Sequence, residues 1–180
     1  MVKRLIKISR KTAWILGVVV CLFSALAFYA NVPTDLEPAD VAVFQNDLKL
    51  SPFQHPKTFA EQITAIKAIQ HRVFVAAPVG NGIPDYQPRE PADLMKKREG
   101  LCYDRSRTMD KAFDYIGLEA RHVYLLYRED RGYLSAMMHY GQASHAITEV
   151  KTSKGWMFVD SNSEWIALTR DGQVVNADDV

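Results

Sequence analysis

The chain has 180 residues, 48% of them hydrophobic, with 22 basic against 21 acidic side chains and a formal charge of +1. That composition supports one folded domain and excludes a disordered or low-complexity protein. Lys3, Arg4, Lys7, Arg10 and Lys11 crowd the first eleven positions, so the rest holds 17 basic against 21 acidic residues, a net of −4, which excludes a basic footprint for nucleic acid.

The basic segment 1–11 is followed by TAWILGVVVCLFSALAFYA, residues 12–30, which contains no charged side chain. A helix needs about 20 apolar residues to span a bilayer, and positive flanks stay cytoplasmic. The segment therefore reads as a transmembrane signal anchor with the remainder of the chain outside the cytoplasm. A signal peptide cleaved after the small-residue ALA at 25–27 is the alternative. Of the two cysteines, Cys21 lies inside this run, so Cys102 is expected as a lone free thiol.

Residues 31–57 carry four prolines and read as a linker and lead-in segment to a domain at 58–180. Thr58 stands three residues before Glu61, a capping-box pattern that opens a helix over TFAEQITAIKAIQHRVF. Phe59, Ile63, Ile66 and Ile69 or Gln70 give that helix its apolar stripe. Residues 77–91 are a turn-rich loop, and 92–98 a short helix ended by Gly100. A second long helix is expected from Cys102 to about Ile116, with Cys102, Ser106, Met109, Phe113 and Ile116 on one face and Gly117 as its cap. The period then changes to two. RHVYLLY (121–127), ASHAITEV (143–150), WMFVD (156–160) and EWIALT (164–169) read as strands, with Trp156 and Trp165 packed in the core. Helices followed by strands imply an α+β domain.

EGLCYDRS, residues 99–106, poses the chemical question. A free cysteine is often simply a buried small apolar group. In the first turn of a helix, however, unpaired N–H groups and the macrodipole favour the thiolate, the reactive form. Gly100 permits close approach by a neighbouring backbone or a substrate. A cysteine nucleophile also needs a base. Among His55, His71, His122, His139 and His145, the last lies on a strand whose hairpin partner ends in Asp160. With Thr152 and Ser153 as the turn, Lys151 faces Lys154 and His145 faces Asp160, and directly opposed residues share a face of a sheet. A carboxylate bonded to an imidazole fixes its tautomer. Asp160 also opens DSNS, where aspartate is an ordinary turn residue, so both readings stand on spacing alone.

REGLCYDRSRTMDKAFDYIGLEARHVYL followed by SHAITEVKTSKGWMFVDSN resembles the core of the transglutaminase-like superfamily: G-x-C opening a helix, a glycine turn, A-R entering a strand, then a strand histidine, Gly-Trp and an aspartate ending the next strand. The cysteine-to-histidine and histidine-to-aspartate separations of 43 and 15 residues are similar to those of that family. The resemblance covers about residues 60–169. It implies a papain-like fold with the catalytic helix packed on an antiparallel sheet. It also implies a triad of Cys102 as nucleophile, His145 as base and Asp160 as its orienter, acting on a protein or peptide amide. The papain-type CGSCW signature is absent, and Tyr103 stands where many animal transglutaminases carry tryptophan. The resemblance accordingly points to a bacterial cysteine peptidase or amidase, and the N-terminal segment adds a membrane anchor that leaves the domain facing the periplasm or extracytoplasmic space. A protein-cross-linking transglutaminase and a non-catalytic binding module of an envelope assembly are its alternatives. One oxyanion donor is expected to be the Cys102 N–H, with Tyr86 and Gln87 as candidates for the second. DSNSE lacks the glycine and length of a calcium loop. Neither a phosphate loop nor a Cys/His metal cluster is present, and no cofactor is implied.

Overall fold

The computed structural model describes residues 9–30, 32–84, 86–128, 130, 132–139 and 141–179; Lys3, Arg4 and Lys7 of the basic segment lie outside them. Contacts divide the chain into two units, 1–33 and 34–180. In the first, α1 (Arg10–Ala30) contains the apolar run. Residues 10–27 are long and apolar enough to cross a membrane and none is buried, as suits a membrane anchor or a signal sequence.

In the second unit, the proline-containing stretch folds as α2 (Pro38–Ala42), a π-helical turn (Val43–Asp47) and a 3-10 turn (Ser51–Phe53). It delivers Phe44 and Leu50 to the core, both fully buried. α3 (Phe59–Ala76) opens with the expected capping box: Thr58 Oγ1 accepts the Glu61 N–H, and Glu61 accepts the Thr58 N–H. Its buried stripe includes Ile66, Ile69, Gln70 and Val73. α4 (Pro91–Lys97) follows, then α5 (Cys102–Tyr115).

Three antiparallel strands, β1 (Ala120–Leu126), β2 (Ser144–Thr152) and β3 (Gly155–Val159), form a sheet in the order β1-β2-β3; α6 (Tyr133–Met137) interrupts the β1–β2 connection. The domain is thus α+β, with α3 and α5 packed together and α5 lying on β1 and β2. β2 is central and covered on both sides, so Ala146 through Val150 are all buried and simple alternation is lost. Met109 and Phe113 of α5, with Ile116 just beyond it, share one core with Val150, Met157 and Val159.

Two expectations need correction. Residues 164–169 are not a fourth strand. They make only the isolated bridges Val159↔Ile166 and Leu168↔Val174, because this stretch turns back along the end of β3, with Ala167 N–H donating to Phe158 C=O at 2.9 Å, and the C-terminal segment takes the next place on that edge, with Phe158 N–H donating to Val175 C=O at 3.1 Å. Trp165 is consequently 56% exposed rather than a core residue, whereas Trp156 is partly covered by the Arg121 guanidinium 4.4 Å above its ring.

The hairpin register also differs from the expected one. Thr152 pairs with Gly155 and Lys151 with Trp156, so the loop is Ser153–Lys154 and the pairing is displaced by two residues. Gly155 has φ +118°, a conformation that only glycine adopts readily, and the loop closes on it. Thr152 Oγ1 tightens this turn by accepting the Lys154 N–H at 3.2 Å.

Candidate active site

Cys102 is the first residue of α5, after the N-cap Leu101, and is partly exposed. Its N–H is one of the helix's unpaired donors. The turn that presents it is held from two sides. Asp104 reaches back so that its Oδ2 accepts the N–H of Leu101 at 2.9 Å and of Ile83 at 3.1 Å. Gly100 runs alongside the 78–80 segment, its N–H donating to Pro78 and its carbonyl accepting from Gly80. A Cβ at Gly100 would stand 2.8 Å from Leu94 Cδ1, so the close approach expected of this glycine is real, although it is made to the protein itself.

His145 is the second residue of β2. Its Nε2 lies 2.6 Å from Asp160 Oδ1. The two-residue shift of register does not separate them, because Asp160 follows the last ladder residue, Val159, and its side chain turns back toward β2. The Asp160 carboxylate also accepts the Asn162 N–H at 3.1 Å and the Ser163 hydroxyl at 2.5 Å. Burial alone would push its carboxyl up. The hydrogen bonds from Ser163, His145 and Asn162 outweigh that and hold it below the ordinary aspartate range. It is therefore a carboxylate, an acceptor only, and the proton of the contact sits on His145 Nε2. The lone pair of the neutral imidazole is then on Nδ1, which faces Asn162 Nδ2 at 3.5 Å.

Gln70 was legible only as part of a helix stripe, but it supports this turn from below. Fully buried on α3, its Nε2 donates to the carbonyls of Asp160 (2.9 Å), Ser163 (3.0 Å) and Trp165 (2.8 Å). Ser161 Oγ donates to the Ala146 carbonyl, closing the turn against β2.

Two sets of contacts tie the N-terminal half of α5, which begins at Cys102, to β2 and to the turn that follows Asp160. One turn after Cys102, Ser106 Oγ is 3.1 Å from Thr148 Oγ1, three residues along β2 from His145. Arg105, also on α5, donates to the Ser161 carbonyl and to Asn162 Oδ1. Sequence reasoning overlooked Arg105, Asn162 and Ser163, because charged and polar residues in such positions usually face solvent.

Behind the nucleophile lies a second buried pair. His122 Nδ1 is 2.7 Å from Asp110 Oδ2, with side chains 3% and 1% exposed, and its ring meets those of Tyr103 and Tyr124. Desolvation raises the Asp110 carboxyl, an effect that the His122 contact only partly offsets. Of the other histidines, His71 pairs with Glu164 at the surface. Of the candidates for the second oxyanion donor, Tyr86 is 86% exposed and the Gln87 backbone N–H donates to the Pro84 carbonyl. A cavity of about 340 Å³ lined by Leu125, Leu126, Tyr127, Ala143, Ser144 and His145 opens beside the imidazole. A larger one, about 570 Å³ between the 52–57 segment and α3, includes none of the three predicted residues.

Comparison with known proteins identifies the family of the chain. The model of the transglutaminase-like superfamily core matches residues 55–161, a span that takes in all three predicted residues. A solved chain described as the crystal structure of a TGase aligns at 15% identity with a TM-score of 0.43, over 89% of this chain and 35% of that one. The chain thus spans about a third of the length of the solved chain it matches. No curated protein matches it.

Proposed function

The chain belongs to the transglutaminase-like superfamily, and on that premise we propose that it is a membrane-anchored cysteine hydrolase, a peptidase or amidase that works by acyl transfer through Cys102, His145 and Asp160. The observation that carries this reading is the 2.6 Å contact between His145 Nε2 and Asp160 Oδ1. It leaves Nδ1 as the basic nitrogen, on a strand tied through Thr148 and Ser106 to the helix that Cys102 opens.

The steps follow from those positions. His145 Nδ1 takes the thiol proton, and the Cys102 sulfur attacks the carbonyl carbon of an amide. The carbonyl oxygen becomes an oxyanion, to which the Cys102 N–H donates. The tetrahedral species collapses, the C–N bond breaks, and His145 returns its proton to the departing amine. His145 then removes a proton from water, which attacks the thioester, and the acid and the free thiol are released. Asp160 holds the imidazole and stabilises its positive charge without taking the proton. The cavity beside His145 offers room for substrate next to the base.

The apolar α1 supports a single-pass anchor in a bacterial inner membrane, with the domain outside the cytoplasm and a protein or peptide as substrate. Incubating the full chain with a panel of amides and an electrophilic probe tests the activity. Hydrolysis of at least one amide and covalent capture at Cys102, both lost in Cys102→Ala, are expected. A wild-type Cys102 that reacts no faster than free cysteine overturns the reading in favour of a non-catalytic binding module.

A further inference from the structure

We infer that Arg105 is a positioning residue of this site, a cross-link that holds the N-terminal turn of α5 and the 160–162 turn in one fixed geometry. The inference rests on the acyl-transfer reading above.

Arg105 is fully buried. A charge is seldom buried so completely unless it is paired, yet no carboxylate forms an ion pair with it among the described residues. Instead every nitrogen of the guanidinium is used on the two segments that carry the chemistry. Nη1 donates to the carbonyl of Gly100, two residues before Cys102. Nε donates to the carbonyl of Ser161, the residue after Asp160. Nη2 donates to Asn162 Oδ1. The plane is backed by the Phe74 ring, 5.2 Å from Cζ. The rigid fork of a guanidinium suits this three-way span, and an ammonium cannot reproduce it.

The Asn162 contact carries the effect to the base. Because Arg105 binds the amide oxygen, the amide nitrogen is turned toward His145 Nδ1 at 3.5 Å. An NH₂ group can only donate, and at 3.5 Å, the outer limit of a hydrogen bond, it faces the unprotonated Nδ1 while leaving its lone pair available to the Cys102 thiol. Asp160 imposes the same tautomer from the opposite side of the ring. Loss of Arg105 therefore slackens the geometry of nucleophile and base together. A residue that served only the core would have its donors on scaffold carbonyls, away from these two turns.

The test follows carboxamidomethylation of Cys102 by iodoacetamide at pH 7 in the full-length chain, read peptide by peptide by mass spectrometry so that Cys21 does not interfere. Each variant is accompanied by a thermal midpoint. Arg105→Gln is expected to lower the Cys102 rate by roughly tenfold or more, toward that of free cysteine. Arg105→Lys, which keeps the charge and loses the fork, should recover part of it. Asn162→Ala, an exposed position where water can take over the Arg105 N–H, should lower the thermal midpoint less than Arg105→Gln does and still lower the rate by about threefold to tenfold. If Arg105→Gln does not fold, Arg105→Lys and Asn162→Ala decide the matter. Wild-type rates in the folded variants would overturn the inference, as would equal losses in Arg105→Lys and Arg105→Gln with no effect of Asn162→Ala. The wild-type arm is separate: an unactivated wild-type Cys102 defeats the acyl-transfer reading itself.

Discussion

His145 Nε2 and Asp160 Oδ1 are 2.6 Å apart although the two residues are not ladder partners. The contact depends on a turn and not on the sheet: Asp160 lies one residue beyond β3, and its carboxylate is aimed by Asn162 and Ser163.

The roles proposed for the three residues differ, so their removal should have unequal effects. Cys102→Ala should abolish thioester chemistry, and His145→Ala should be nearly as severe. Asp160→Asn keeps the shape and reverses the donor, and should lower turnover by about 10⁴-fold while leaving a measurable residue. The double variant Cys102→Ala/His145→Ala should be no worse than Cys102→Ala, because members of one unit are not additive. Single-turnover assays on a responsive amide check all four. Full activity in Asp160→Asn would remove Asp160 from the mechanism.

Gln70 should matter to both stability and activity. Its amide nitrogen lies within hydrogen-bond distance of three carbonyls of the 160–165 turn, which share its two hydrogens. Gln70→Ala leaves them without that donor, at a cost of about 1–3 kcal/mol. Thermal unfolding should show a midpoint several degrees lower. Activity at a temperature where the variant is folded should also fall, since Asp160 loses its support. A variant as stable and as active as the wild type would contradict this role.

Acid should weaken the domain in a way that can be traced to Glu90. It accepts from Arg107 Nη2 and Lys111 Nζ, each at 2.6 Å. Burial by itself would raise its carboxyl, but these partners outweigh burial and hold it below the ordinary range. A carboxyl lowered in the folded state adds stability above its unfolded pKa, near 4, and loses it as pH falls through the folded value. Asp160 acts with the same sign, whereas the raised Asp110 and Asp114 act with the opposite one. The difference between wild type and Glu90→Gln isolates the term. It should be about 1–2 kcal/mol at pH 7, discounted for partial exposure, and shrink toward zero below about pH 4. Urea melts across pH 7 to 2 measure it, and a constant difference would refute the assignment.

Topology can be settled by fractionation with a reporter fused after Val180. The full chain should sediment with membranes, and the reporter should be active only in a form that works outside the cytoplasm. A reporter active in the cytoplasm would reverse the orientation. A shortened soluble product would instead assign α1 to a cleaved signal peptide.

Much of the fold was legible because local rules agreed with it. The Thr58–Glu61 box begins α3 where it should. Met109 and Phe113 of the expected stripe are fully buried, as is Ile116 just beyond α5. Period two marks β1, β2 and β3 to within a residue or two. The expected fourth strand failed because EWIALT has strand-like composition but no neighbour that offers it a continuous ladder. The hairpin register failed because it is set by which residue tolerates a positive φ, and that residue is Gly155.

The sequence by itself determined the apolar N-terminal helix, the α+β order, Cys102 at a helix start, and a histidine and an aspartate on neighbouring segments. These follow from periodicity, capping and spacing, which act over a few residues. Only the tertiary structure decided what surrounds them. In linear sequence, Asp104, Arg105, Arg107, Asp110 and Lys111 look like the solvated side of a helix, yet all five are buried. Their partners, among them Asp40, Glu90, His122, Ser161 and Asn162, are distant in the chain. Burial of a charge is decided by whether a partner meets it in space. Such meetings leave no local periodicity, so the supports of the candidate site become visible only once the chain is folded.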